Sequence, residues 1–154
     1  MDSQEKKKLL IVDDEEALRD ILYQELTEEG FDVETLGEGS KVVEAVKSKK
    51  YDLLLLDISM PNISGFEVLE QLKKEKISIK SVMLSGYDDL KNAIQAARLG
   101  AVGFISKPFR FHDIIVEIFC FYLLLSLFNT ICQLFTSFDL KEKFHSKLAY
   151  TYFP

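Results

Sequence analysis

Five polar side chains in this chain stand at the ends of short apolar runs. Asp13 and Asp14 follow Lys8-Leu-Leu-Ile-Val12, and Asp57 follows Leu53-Leu-Leu-Leu56. Ser85 follows Ile79–Leu84, and Lys107 follows Ala101–Ser106. An uninterrupted apolar run bounded by turn residues reads as a strand buried on both faces, as in a parallel sheet covered by helices. In open α/β sheets, ligands bind beyond the carboxyl ends of the strands. A lone Asp after a strand is more often a cap or a turn. Here the other four residues argue for chemistry instead.

With the first and third strands as neighbours, Asp13, Asp14 and Asp57 crowd one pocket. Like charges that close are unfavourable unless something positive sits among them. A hard divalent cation answers this. Mg²⁺ prefers carboxylate oxygens, keeps several waters and is commonly shared with phosphate. Lys107 adds a mobile ammonium, and Ser85 adds a hydroxyl donor. A carboxylate in that company is equipped to attack phosphorus and to form an aspartyl-phosphate. The cation and Lys107 offset charge on the transferring group.

The elements that position these residues alternate strictly. Leu18, Ile21, Leu22 and Leu26 mark the inner face of a first helix that Gly30 stops. Phe31–Thr35 reads as a second strand, Gly37–Gly39 as a loop, and Val42, Val43 and Val46 mark a second helix. Ser64-Gly65 opens a third helix with Phe66, Val68, Leu69 and Leu72 inward. Asp88 or Asp89 caps a fourth, with Leu90, Ala93, Ile94 and Ala97 on its inner side. A fifth helix starts near Phe111. Strand–helix alternation implies right-handed crossovers and a parallel sheet. The expected fold is α/β, a flavodoxin-like (βα)5 doubly wound sheet of order 2-1-3-4-5 with its switch point between strands one and three.

The chain has 154 residues, room for one domain with a real core. A formal net charge of -6 argues against a general affinity for nucleic acid phosphates. Cys120 and Cys132 fit neither a metal pattern nor a disulfide framework. The charged N-terminus precedes too short an apolar run for a signal peptide, so a cytoplasmic location is expected.

These residues resemble the receiver domain of two-component response regulators. The resemblance rests on Asp13-Asp14, on Asp57 with Met60-Pro61 and Gly65, on Ser85-Gly86, and on Gly100-Ala-Val-Gly-Phe-Ile-Ser-Lys107-Pro108. It covers roughly residues 6 to 118, and the boundary of the receiver domain is set at residue 118. It implies that Asp57 accepts a phosphoryl group from a sensor histidine kinase or a histidine phosphotransfer protein. It implies that Asp14, Asp57 and the backbone carbonyl of Ser59 ligate Mg²⁺, with Asp13 acting through a water. Ser85 and Lys107 then contact the phosphoryl oxygens, and the bond before Pro108 is cis. It also implies a switch in which Ser85 is drawn inward and Phe104 rotates into the space left. That remodels the face made by the fourth helix, fifth strand and fifth helix. Where tyrosine is frequent in the family, Phe104 acts by packing alone. Ser59 and Tyr87 flank the site and read equally as loop surface, and His112 reads as solvated surface.

Residues 119–154 fit this pattern poorly. Ile114–Phe135 carries one charge, Glu117. A helix apolar on all sides is buried or membrane-embedded, and this one is long enough to cross a bilayer core. Three readings compete. These are a homodimer through the C-terminal helix, a membrane anchor with Lys141, Lys143 and Lys147 on the cytoplasmic side, and an atypical chain end. Ser126, Asn129, Thr130 and Gln133 weigh against lipid, which favours self-association. Asp139–Pro154 is too short for a DNA-binding domain, and no effector domain is recognisable.

Two other functions share parts of this pattern. A haloacid dehalogenase-type phosphatase also uses an aspartyl-phosphate, but it wants a second acid where Ser59 stands. A flavodoxin-like cofactor carrier needs a hydroxyl- and glycine-rich phosphate loop where Asp13-Asp14 would repel phosphate. The expected chain is a switch that catalyses only its own phosphoryl transfer, not a turnover enzyme.

Overall fold

The computed structural model describes residues 6–86 and 90–136, with the side chains of Leu90, 124–126 and 128–136 outside that description. In order the elements are β1 (Lys8–Val12), α1 (Glu16–Glu28), β2 (Asp32–Leu36) and α2 (Val42–Ser48), then β3 (Leu53–Asp57) and α3 (Gly65–Lys74). They continue as β4 (Ser81–Ser85), α4 (Leu90–Arg98), β5 (Gly103–Ser106) and α5 (Phe111–Thr136). A 3-10 turn, Gly39–Lys41, leads into α2. The strands form one parallel sheet in the order β2-β1-β3-β4-β5. This is the flavodoxin-like topology expected from the alternation.

The leucine run of β3 lies at the centre, hydrogen-bonded to β1 on one side and β4 on the other. All five of its residues are buried. Successive side chains point to opposite faces, so both faces must be covered. Leu54 and Leu56 join Leu10, Val12 and Met83 in a core closed by Val42 of α2 and by Val68, Leu69 and Leu72 of α3. Leu53 and Leu55, with Leu9 and Ile11 in register, point the other way and are equally buried. The edge strand β2 is tied inward by the Tyr51 hydroxyl, which donates to Glu34 Oε2 at 2.7 Å. Burial and then that bond push the phenol up to about 12. On Glu34, contacts from Lys49 and then Tyr51 hold the carboxyl below its usual range.

Helix ends follow local chemistry. Ser64 caps α3 in a reciprocal capping box with Glu67. Gly30 and Gly100 follow α1 and α4 with φ of 94° and 91°, the left-handed region that glycine enters freely.

Two helix faces differ from expectation. On α1, Leu22 and Leu26 are buried but Ile21 is 56% exposed. Ile21 sits one residue, or 100°, off the stripe at 18, 22 and 26, and the sheet covers a narrower face than the apolar count suggests. On α4, Ala96 is buried while Ile94 is 44% exposed and Ala97 is exposed. There the apolar residues form two adjoining stripes, and Ala96 joins the buried core while Ile94 and Ala97 do not. The fourth strand begins at Ser81 and the fifth at Gly103, later than the apolar runs themselves. The α4 cap at Asp88 or Asp89 lies outside the described residues.

The chain divides into two compact units, Met1–Ile114 and Ile115–Pro154. In the second unit Ile118 is buried, whereas Val116, Phe119, Leu123 and Leu127 are exposed. Cys120 is a free, exposed thiol. Among the described residues no helix is long and apolar enough to cross a membrane. Lys141, Lys143 and Lys147, on which the anchor reading relied, lie outside the described residues, as does Cys132's side chain.

A strand filled on both faces has a direct consequence. Leu55→Ala and Leu56→Ala should each cost about 2–5 kcal/mol in urea unfolding, because each leaves a cavity in a different layer. A large loss from only one of them would mean that only one face of the sheet is packed.

Candidate functional site

Pairing of β1 with β3 sets Val12 beside Leu56, so the next residues, Asp13 and Asp57, emerge at the same edge. Asp13 is fully buried, Asp57 nearly so, and Asp14 exposed. One carboxylate oxygen from each lies within 4.8 Å of the others. Lys107, from the end of β5, reaches past β4 to this cluster. Its Nζ stands 2.6 Å from Asp13 Oδ2 and 3.1 Å from Asp57 Oδ1. The structure thus brings together the four charged residues singled out from sequence.

Asp13 is the most heavily engaged of them. Its N–H donates to the Leu36 carbonyl at 3.2 Å, and its own carbonyl accepts from Arg19 Nη1 at 2.8 Å. Its Oδ1 accepts from the Glu15 N–H at 2.9 Å, and its Oδ2 from Lys107. Asp57 is different. Its Oδ1 is close enough to Lys107 for charge attraction but off the direction of a hydrogen bond, and it has no hydrogen-bond partner. Burial raises the Asp57 carboxyl above its ordinary range, Lys107 opposes this, and Asp13 and Asp14 add to it. For Lys107, burial pulls the ammonium down, but its contacts with Asp13 and Asp57 outweigh that and hold it above its usual value.

Ser85 ends β4 and is fully buried. Its carbonyl accepts the Lys107 N–H at 2.6 Å, joining the ends of β4 and β5. The Lys107–Pro108 peptide is cis. Register pairs Ser85 with Ser106 and Met83 with Phe104, so Ser85 and Phe104 share one face of neighbouring strands. Phe104 is half-buried against the main core. Ser59 is exposed in the loop after β3, His112 is exposed on α5, and Tyr87 lies outside the described residues.

Gly65 has a part that its motif alone did not convey. A Cβ there would lie 2.3 Å from the Asp57 carbonyl oxygen. Its N–H donates to the Ile58 carbonyl at 3.0 Å, so the start of α3 docks directly under the end of β3. Glycine thus lets Asp57 keep its place.

Three clustered carboxylates, one of them with a buried oxygen that has no hydrogen-bond partner, suit a hard divalent cation bound through oxygen. The family model for the response regulator receiver domain matches residues 9–119. The chain belongs to the response regulator receiver family.

The alkaline phosphatase synthesis transcriptional regulatory protein PhoP of Bacillus subtilis is 35% identical over 103 residues, 67% of this chain and 43% of that protein. The regulatory protein YkoG of the same organism is 32% identical over 114 residues, 74% of this chain and 50% of that protein. The chain therefore spans half or less of the length of these relatives. A CheY-like receiver domain of Methanospirillum hungatei superposes with a TM-score of 0.69 at 32% identity, covering 74% of this chain and 91% of that one. The response regulator TrrA of Thermotoga maritima, solved with Mg(2+)-BeF, gives 0.65 at 34% identity, covering 73% of this chain and 96% of that one.

Burial, with two neighbouring acids adding to it, makes Asp57 costly to ionise in this receiver domain. Its folded-state pKa lies above its ordinary 3.8, so the folded form binds the proton more tightly than the unfolded chain. Stability is then lost as pH rises through that interval. Asp57→Asn should unfold at higher urea than the wild type at pH 7. That gain should shrink to nothing as pH falls to the ordinary carboxylate range. A variant less stable at pH 7 would show that the Lys107 contact outweighs burial.

Proposed function

We propose that this chain is a phosphorylation switch in which Asp57 takes a phosphoryl group from a phosphohistidine. The observation that carries this is Asp57 itself, buried at the end of the central strand with an oxygen that no hydrogen bond engages. One of its carboxylate oxygens attacks phosphorus. The P–N bond breaks as the P–O bond forms, and the leaving imidazole keeps the electron pair and takes up a proton. The donor is a sensor histidine kinase or a histidine phosphotransfer protein, and the transfer takes place in the cytoplasm.

When bound, Mg²⁺ supplies positive charge to the phosphoryl oxygens, held by Asp14, Asp57 and the Ser59 carbonyl, with Asp13 acting through a water. Two observations support that division of labour. Asp13 already uses both carboxylate oxygens within the protein, whereas Asp14 is exposed at the mouth of the site. The complex of the Thermotoga relative with Mg(2+)-BeF supports the choice of metal. Lys107 exchanges its contact with Asp13 for a phosphoryl oxygen, and Ser85 donates its hydroxyl to another. Phe104, on the same face as Ser85, then rotates and repacks. A two-state element of this kind needs a preference of about 5.5 kcal/mol to move from nearly all off to nearly all on. Phosphoryl transfer is its own single turnover, not steady hydrolysis.

Incubation of the protein with acetyl phosphate and Mg²⁺ should add the mass of one phosphoryl group. Asp57→Ala and chelation of the metal should each abolish that gain. Steady turnover of added phosphoesters would instead favour a phosphatase, and phosphorylation surviving in Asp57→Ala would displace Asp57 as acceptor.

The receiver role is assigned to residues 1–118 and self-association to the extension, residues 119–154. Val116, Phe119, Leu123 and Leu127 recur at steps of three and four, one exposed stripe along α5, the spacing of a helix–helix seam. Sedimentation of the full chain should give a homodimer, and Phe119→Glu with Leu123→Glu should give a monomer. A wild-type monomer would remove this role from the extension.

A further inference from the structure

Arg19 lies in the early part of α1, and its guanidinium turns back toward the end of β1. Nη1 donates to the Asp13 carbonyl at 2.8 Å. The same group lies against Gly37, just beyond β2. A Cβ added at Gly37 would stand 3.2 Å from Nη1, 3.3 Å from Cζ and 3.4 Å from Nη2. Gly37 follows Leu36, whose carbonyl accepts the Asp13 N–H. Arg19 therefore spans the loops after β1 and β2, and both of its neighbours there are main chain.

The carbonyl it holds belongs to the peptide between Asp13 and Asp14. That unit is planar and stiff, so fixing its oxygen fixes the plane from which Asp14 departs. Among the described residues no hydrogen bond or ion pair holds the Asp14 carboxylate itself. Its direction is set by the main chain and its own rotamer.

We propose that Arg19 is a positioning residue, clamping the Asp13–Asp14 peptide so that both carboxylates face the divalent cation. This rests on the reading that these acids hold Mg²⁺. Arg19 itself touches neither the cation nor the phosphoryl group. It acts as the outer partners of metal ligands do, and loss of such a partner weakens metal binding roughly 10–100-fold. A Lys at the same position retains a donor for the carbonyl but not the planar face against Gly37. Gly37→Ala tests the clamp from the other side. Gly37 lacks a left-handed φ, so the backbone accepts alanine, and the guanidinium must give by a few tenths of an ångström.

Titration calorimetry of the full chain with MgCl₂ tests this. Arg19→Ala should bind roughly 10-fold more weakly than wild type. Arg19→Lys should recover part of that loss, and Gly37→Ala should fall between wild type and Arg19→Ala. Without metal, hydrogen exchange at the Glu15 amide, which bonds Asp13 Oδ1, should be faster in Arg19→Ala. A purely structural role would lower the urea midpoint and leave Mg²⁺ affinity unchanged, and that result overturns the proposal. If Arg19→Ala does not fold, unchanged affinity in both Arg19→Lys and Gly37→Ala overturns it equally. A wild-type protein that binds no Mg²⁺ overturns this proposal together with the phosphoacceptor reading. Wild-type binding with an unaltered Arg19→Ala overturns this one alone.

Discussion

Three carboxylates converge at the ends of β1 and β3, and the ammonium of Lys107 stands between two of them, 2.6 Å from Asp13 and 3.1 Å from Asp57. The arrangement is held in an uneven balance. Burial and two neighbouring acids oppose ionisation of Asp57, and one lysine favours it. A group so placed gains from any added positive charge, and a divalent cation supplies it. Asp13 is bound on all sides, whereas Asp57 Oδ1 has no hydrogen bond. That asymmetry separates the residue that anchors from the residue proposed to react.

The fold serves this balance by making the sheet rigid where the acids leave it. The leucines of β3 are locked between two packed layers, and Gly65 lets α3 close against the Asp57 carbonyl. The crossover order makes β1 and β3 neighbours although β2 lies between them in sequence. Without that inversion Asp13 and Asp57 would not meet. Lys107 comes from the far edge strand, and only a long side chain reaches past β4. The hydrogen bond from its N–H to the Ser85 carbonyl sets the base of that reach.

Much of this was legible in the residues. Four leucines running into an aspartate can form little else than a doubly buried strand, and strict alternation left few topologies. The convergence of Asp13, Asp14, Asp57 and Lys107 followed from those two facts. Where side-chain periodicity had to choose between adjacent stripes, it failed. Ile21 and Leu22 are equally apolar, and only the width of the sheet beneath α1 exposes the first and buries the second. On α4 the alanines carry too little volume to mark a face, so Ile94 looked like an anchor and is not. Arg19, and the contact that Gly65 makes within its motif, were opaque for another reason. Their partners are main-chain atoms, the Asp13 and Asp57 carbonyls, and no pattern of side-chain types signals a contact of that kind.

The most direct measurement is a crystal structure of this chain with Mg²⁺ and beryllium fluoride. Beryllium fluoride should lie on an Asp57 oxygen and the metal on Asp14 and Asp57, with Lys107 Nζ transferred from Asp13 to a fluoride. Beryllium fluoride bound elsewhere, or a metal seated away from Asp14 and Asp57 while Lys107 keeps its grip on Asp13, would contradict this.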